Sequence, residues 1–341
     1  LMSFDGLVDI RKKANEYDFH AQIDYADLAA LKLIKQDTIS IFKGDLLLNA
    51  TGNTINNLAG TLQISRLSYQ NSRSSYYFED FYVNSTFDDD DIRTITFNST
   101  DIIEGRVRGK FDVNQLPKVV ENAMGSLYTN YSPYKVKKGQ FLDFNFTIYN
   151  KIIGIFLPDV TLAKNTKLRG RINADKGDFV LDFNSPKISL KENYFNNLSV
   201  DINNKNPLYN TYISMDSLRT KTYKVSDFNL VNVTESDTLY LRSEFKGGEE
   251  AKDYFNINLY HTINKDNKSV VGLKRSEINF KDYLWYLNEE NEADNKVIFN
   301  KKLTDFKIDK ITLSHNKEKV ELMGVMRDST YKDVTLRFNE V

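Results

Sequence analysis

Apolar and polar residues alternate with a period of two along most of the chain. Clear runs are Phe144-Asn145-Phe146-Thr147-Ile148, Phe179-Val180-Leu181-Asp182-Phe183, Leu198-Ser199-Val200-Asp201-Ile202 and Val334-Thr335-Leu336-Arg337-Phe338. Successive strand side chains point to opposite faces, so each run predicts a strand with one apolar and one polar face. Turn clusters such as Asn203-Asn204-Lys205-Asn206-Pro207 and Gly247-Gly248-Glu249-Glu250 separate the runs. That spacing predicts consecutive antiparallel hairpins, because parallel strands need long crossovers. The fold class expected is therefore all-β, an elongated antiparallel meander. Roughly two dozen strands at ~4.8 Å spacing would extend on the order of 110 Å, more than an open twisted sheet sustains, so the sheet must curl. Two packed layers or an open half-pipe both satisfy the pattern.

A phrase recurs: apolar, any residue, Asp or Asn, apolar, any residue, apolar. It centres on Asp80 before Phe81 and Val83, Asn197 before Leu198 and Val200, Asp227 before Phe228 and Leu230, Asp305 before Phe306 and Ile308, and Asp333 before Val334 and Leu336. Apolar residues three apart in a regular strand fall on opposite faces, so the Asp or Asn is expected in a bulge or turn exit that restores the face. The chain then reads as one continuous repetitive segment, 1–341. Helical spacing of Leu116, Val119, Val120, Ala123, Met124 and Leu127 predicts a helical insertion over 115–128, with Asn114 as its cap. Shorter helices are expected over 26–34 and 282–287, and a further helical turn over 151–157.

Composition narrows the function. The 46 Lys and Arg residues against 47 Asp and Glu leave a net charge of −1, so no basic excess is available for nucleic acid. There is no Cys, which removes disulfides, zinc–thiolate sites and cysteine nucleophiles. The three histidines, His20, His261 and His315, lie far apart in the sequence, and none belongs to a catalytic or metal motif; all three read as ordinary surface or turn residues. Gly105-Arg106-Val107-Arg108-Gly109-Lys110-Phe111 fails as a phosphate loop, having three residues between its glycines and Phe111 where Ser or Thr would bind magnesium. Asp88-Asp89-Asp90-Asp91 lacks the glycine and terminal glutamate of a calcium loop and reads as a hairpin turn. No catalytic residue, metal or cofactor is expected. Sequons such as Asn98-Ser99-Thr100 carry little weight in a chain so rich in Asn. The longest apolar runs fall far short of the ~18 residues that span a bilayer. The opening Leu1-Met2-Ser3-Phe4-Asp5-Gly6 has no signal-peptide pattern and the close is strand-like, as expected for part of a longer protein.

The units Asn184-Ser185-Pro186-Lys187-Ile188 through Tyr194-Phe195-Asn196-Asn197-Leu198-Ser199-Val200, and Lys319-Val320-Glu321-Leu322-Met323-Gly324 through Tyr331-Lys332-Asp333-Val334-Thr335-Leu336, resemble strand units of the TamB and AsmA-like family. Gly125-Ser126-Leu127-Tyr128-Thr129-Asn130-Tyr131 and Phe280-Lys281-Asp282-Tyr283-Leu284-Trp285 extend the similarity to the middle of Bacteroidota-type TamB proteins. The resemblance implies an open half-pipe, or β-taco, with a greasy interior. It implies a periplasmic, inner-membrane-anchored protein that moves phospholipid and supports outer-membrane protein assembly. A TamA-like barrel would be a partner through regions outside this segment. The candidates for lining the groove are Phe81, Val83, Phe144, Phe146, Ile148, Leu181 and Phe183. They continue with Leu198, Val200, Ile202, Phe228, Leu230, Phe306, Ile308, Val334 and Leu336. Alternatives are a structural spacer or chaperone-like β-surface for barrel precursors, and a carbohydrate-active β-sandwich. The second is disfavoured by a lone Trp285 placed in a stretch expected to be helical.

Overall fold

A computed structural model describes residues 1–32, 39–126, 131–206, 208–328 and 330–340. The fold is all-β. Twenty-four strands and two short α-helices follow one another among the described residues, and every strand pairing is antiparallel. The chain parts into two compact units. The first holds Leu1–Val120, Lys135–Gly177 and Leu181–Lys191; the second holds Glu121–Tyr134, Asp178–Val180 and Glu192–Val341.

The first unit opens with β1 (Met2–Asp9), β2 (Glu16–Asp27), β3 (Ser40–Thr51), β4 (Ala59–Asn71) and the short β5 (Ser75–Tyr77). It continues with β6 (Phe81–Phe87), β7 (Arg93–Asn98) and β8 (Ile103–Lys110), each pairing with its predecessor save that β6 returns to β4. A 3₁₀ turn, Val113–Gln115, leads into α1 (Leu116–Gly125), whose residues from Glu121 onward belong to the second unit. Then come β9 (Phe141–Ile148), α2 (Asn150–Phe156), β10 (Val160–Leu162), β11 (Thr166–Asn173) and β12 (Asp178–Leu190), whose first three residues belong to the second unit. In that unit β13 (Asn193–Asn203), β14 (Thr211–Arg219), β15 (Lys224–Glu235), β16 (Thr238–Gly247) and β17 (Asp253–Ile263) form an unbroken series of hairpins. The series divides over β18 (Ser269–Leu273), β19 (Ser276–Phe280), β20 (Tyr283–Leu287) and β21 (Lys296–Phe299). It rejoins at β22 (Asp305–His315) and ends with β23 (Glu318–Arg327) and β24 (Tyr331–Asn339).

Helix α1 lies within the expected 115–128, of which 127–128 fall outside the described residues. Its entry is capped by Asp112, whose side chain accepts the Asn114 N–H, instead of by Asn114 itself. The expected 282–287 helix is a strand. Lys281 and Asp282 both have positive φ, 51° and 69°, and close a two-residue hairpin in which Phe280 faces Tyr283. That twist suits strand pairing, and the run Tyr283-Leu284-Trp285-Tyr286-Leu287 is apolar throughout, so periodicity alone could not separate strand from helix. The expected 26–34 helix fails as well. Ala26 and Asp27 end β2, and residues 28–32 form a turn in which Asp27 accepts the Ala29 and Ala30 N–H groups. Lys32, at φ 59°, ends that turn, and residues 33–34 lie outside the described residues. The 88–91 run is the expected hairpin turn between β6 and β7.

The recurring phrase has three structural forms. Asp80 precedes β6 and Asp305 opens β22, both at turn exits. Asn197 and Asp227 take the left-handed conformation inside strands, with φ of 49° and 53°. At Asp227 the register proves the bulge: Val225 pairs with Gly247 and Leu230 with Ser243, so six residues of β15 face five of β16 and both apolar residues keep one face. Asp333 departs from the expectation. It sits in regular pairing opposite Val325, and no register shift interrupts β23–β24, so Tyr331 and Val334 fall on opposite faces.

Asp227→Gly should fold at least as well as the parent, because glycine adopts positive φ without strain. Asp227→Val should lower stability by about 1–2 kcal/mol, the cost of a Cβ-branched residue in that conformation, read as a shifted denaturation midpoint.

Candidate functional site

Cross-strand partners share a face, so the register shows which side chains are gathered together. In the first unit one row runs Gly6, Phe19, Leu48, Leu62, Val83, Phe97, Gly105, Phe146 and Leu168, across nine strands. A second row beside it contains Tyr17, Ala50, Ile95, Val107 and Phe144. A third joins Phe4, Ala21, Leu46, Ile64 and Phe81, and Ile103 pairs with Ile148. Ile148 pairs with Thr166, whose hydroxyl meets that of Ser185 at 2.8 Å; Leu181 and Phe183 alternate with Ser185 along β12 and extend the same face. The intervening row is polar: Asp18, Asn49, Thr61, Asn84, Thr96, Arg106, Asn145 and Arg169.

Glycines in the apolar row let rings close over the backbone. Gly105, at φ 147°, lies between Phe97 and Phe146, whose centroids are 5.8 Å apart; a Cβ there would meet the Asn145 carbonyl oxygen at 2.0 Å. Phe144 and Phe146 stack at 6.1 Å. Helix α2 leans on one end of this face through Gly154, whose carbonyl accepts the Tyr76 hydroxyl. At the other end Ile55, Leu58 and Val113 overhang Leu48, Leu62, Val83, Ile95 and Phe97, leaving a half-open pocket of about 270 Å³. Between these ends the apolar side chains stay half-exposed.

The second unit repeats the sorting. Val200, Ile213, Leu230, Ser243 and Ile257 form one row, and Ile202, Thr211, Asn232, Leu241, Leu259 and Leu273 the next. Leu198 alternates with Val200 on β13. Phe228, Phe245 and Phe255 make an aromatic ladder, with centroid spacings of 5.8 and 4.5 Å. A further row links Leu239, His261, Val271, Val297, Ile308, Gly324 and Val334, with Phe299 and Phe306 beside it. Leu336 pairs with Leu322 in the neighbouring row. The candidates thus gather into one face in each unit, and β24, which carries Val334 and Leu336, is exposed on both sides.

Two polar residues were missed on these faces. Arg93 has the parity of Ile95 and Phe97, and His261 that of Ile257, Leu259 and Ile263, so the alternation itself carried the signal. His261 is inside β17 and half-buried between Leu239 and Val271, in place of the surface or turn setting expected. Burial pushes its imidazole below the ordinary value of 6.5.

Surface area reinforces the picture. The chain exposes 20852 Å², whereas even two separate compact bodies of half the mass would expose roughly 17,000 Å² together. The fully buried side chains include more polar than apolar ones, and several of them clamp neighbouring strands together: Ser40 with Tyr69, Thr166 with Ser185, Asn295 with Thr312. Among the described residues no three His, Asp or Glu converge as metal ligands, and no helix is long and apolar enough to cross a membrane. No family model, curated protein or solved structure matches the chain.

Gly105→Ala should cost more than about 1 kcal/mol in chemical denaturation, since the native φ excludes a Cβ. The folded state favours neutral His261, so as pH falls below about 6.5 the unfolded chain takes up the proton first and stability declines until the folded imidazole also protonates. His261→Leu should flatten this dependence of the denaturation midpoint between about pH 7.5 and 5.5.

Proposed function

We propose that the chain is a non-enzymatic conduit segment for phospholipid, in which the apolar sheet face solvates acyl chains while head groups stay at its open margin. The observation that carries this reading is the nine-strand row from Gly6 to Leu168, backed by a row that is polar on eight of the nine strands, Leu7 on β1 being the exception, and left half-exposed along its centre. Burying an acyl methylene on such a face is worth about 0.8 kcal/mol, and a continuous row lets a chain slide from one strand to the next without losing that contact. An enzyme would concentrate its chemistry at one point; here the same aliphatic and aromatic surface recurs strand after strand. The sequence resemblance to the TamB and AsmA-like family leads to the same activity. It adds the expectation of an open half-pipe in the periplasm and a TamA-like barrel partner engaged elsewhere.

Photo-crosslinkers at Phe146 and Asn145 test the reading, because the two residues are adjacent in β9 and face opposite ways. Expressed in the cell, the protein should yield phospholipid adducts at position 146 and few at position 145. Equal labelling at both, or none at either in a folded protein, refutes the conduit and favours the spacer. Phe146→Asp should reduce lipid adducts at positions on either side of it, as an unpaired carboxylate on that face costs several kcal/mol unless it protonates.

A further inference from the structure

Arg93 is out of place on the apolar face. It begins β7, pairs with Phe87 and Gly109, and is only 5 % exposed. Its Nε donates to Ser85 Oγ at 2.9 Å, Nη1 to the Ile55 carbonyl at 2.8 Å and Nη2 to the Leu58 carbonyl at 2.9 Å. These bonds pin the overhanging 55–58 loop to the sheet. A neutral amide could serve two such carbonyls, and the Phe87 ring, its centroid 5.5 Å from the guanidinium carbon, adds a cation–π contact; neither supplies a negative charge.

The charge itself has no carboxylate. No acidic residue forms an ion pair with Arg93 among the described residues, and the nearby Asp112 is engaged by Lys137 at 2.6 Å and by Asn56. Burial lowers the guanidinium pKa, with no acidic neighbour offsetting it. An arginine stays charged under these conditions, and a buried cation without a counter-charge is costly. The three bonds occupy three of its five N–H groups, leaving one on each terminal nitrogen.

Arg93 also lines the 270 Å³ cavity whose floor is Leu48, Leu62, Val83, Ile95 and Phe97. That half-open volume is lined almost wholly by hydrocarbon and carries one cationic fork at its edge. We infer that this pocket binds a single-chain amphiphile with an anionic head, the head oxygens bridging the free N–H groups of Arg93 and the chain lying along the Leu48–Leu62–Val83–Phe97 row. Charge-assisted N–H···O bonds from a guanidinium suit either a phosphate or a carboxylate head. The inference deepens the conduit reading and rests on it: the face would hold a station selective for anionic lipid as well as a hydrocarbon path.

Displacement of a fluorescent apolar dye from the whole chain, with amphiphiles kept below micelle formation, tests this directly. Dodecyl phosphate, dodecanoate, dodecanol and dodecyltrimethylammonium are compared on the unaltered protein, with inorganic phosphate as a headgroup control. At least one of the two anions should bind tenfold or more tightly than dodecanol, and the ammonium more weakly. Inorganic phosphate should displace nothing, because the head alone lacks the chain contacts. The stronger anion identifies the source, phosphate for a single-chain lipid phosphate and carboxylate for a fatty acid. Arg93→Gln should cut the anionic advantage below threefold while leaving dodecanol within twofold of the parent. Equal binding of anion and alcohol to the unaltered chain, or an advantage that survives Arg93→Gln, overturns the station while the conduit stands. Failure of every amphiphile, dodecanol included, overturns both.

Discussion

Strand register is the constraint on which everything else depends. A strand offset by one residue from its neighbour would turn its whole apolar set to the polar side, and the rows through Phe19, Leu48 and Phe146 would break at that point. Hydrogen bonds alone do not forbid such a slip. What forbids it is the match of side chains on both faces together, with Leu62 beside Leu48 on one side and Thr61 beside Asn49 on the other. Where the sequence inserts an odd residue, a left-handed backbone absorbs it. Arg66 at φ 50° does so in β4, where Ser65 pairs with Asp45 and Ser68 with Lys43, much as Asp227 does in β15.

The sequence was readable wherever two-residue periodicity was strict. The stripe Phe144-Phe146-Ile148, the 88–91 turn and the helix beginning near 115 are found where the pattern put them. Readability failed where one local signal serves two structures. Tyr283 to Leu287 are all apolar, and their turn, Lys281-Asp282, lacks the glycine that usually marks a hairpin of that twist. Ala26 to Lys32 are spaced like a helix, yet β3 holds Ala26 and Asp27 against Phe42 and Ile41. Asp333 shows the converse error, a phrase that matches in letters while its strand runs straight.

The polar intruders were hidden for another reason. A charge or imidazole at an inward position looks like a lapse in the pattern, and only coordinates reveal whether the chain has built around it. For Arg93 it has, with two carbonyl acceptors from a loop about 35 residues away in sequence and the Ser85 hydroxyl from the neighbouring strand. For His261 the cross-strand neighbours are Leu239 and Val271, which bring burial and no charge. Both residues carry a titratable or charged group on faces made mainly of hydrocarbon, so each marks a place where the surface can distinguish one occupant from another.

Strands here pair mainly with the strands next to them in sequence, and that has a consequence for how the chain assembles. Most contacts close over one turn, so little loop entropy is lost before a hairpin is rewarded by its own cross-strand pairs. Such a chain can begin folding at several hairpins and grow outward from each, in the manner of repeat proteins whose stability sums over neighbouring interfaces. A defect in one hairpin would then weaken its two neighbours and leave distant ones standing. Partial unfolding and independent melting of the segments on either side would be the natural response of this architecture to damage.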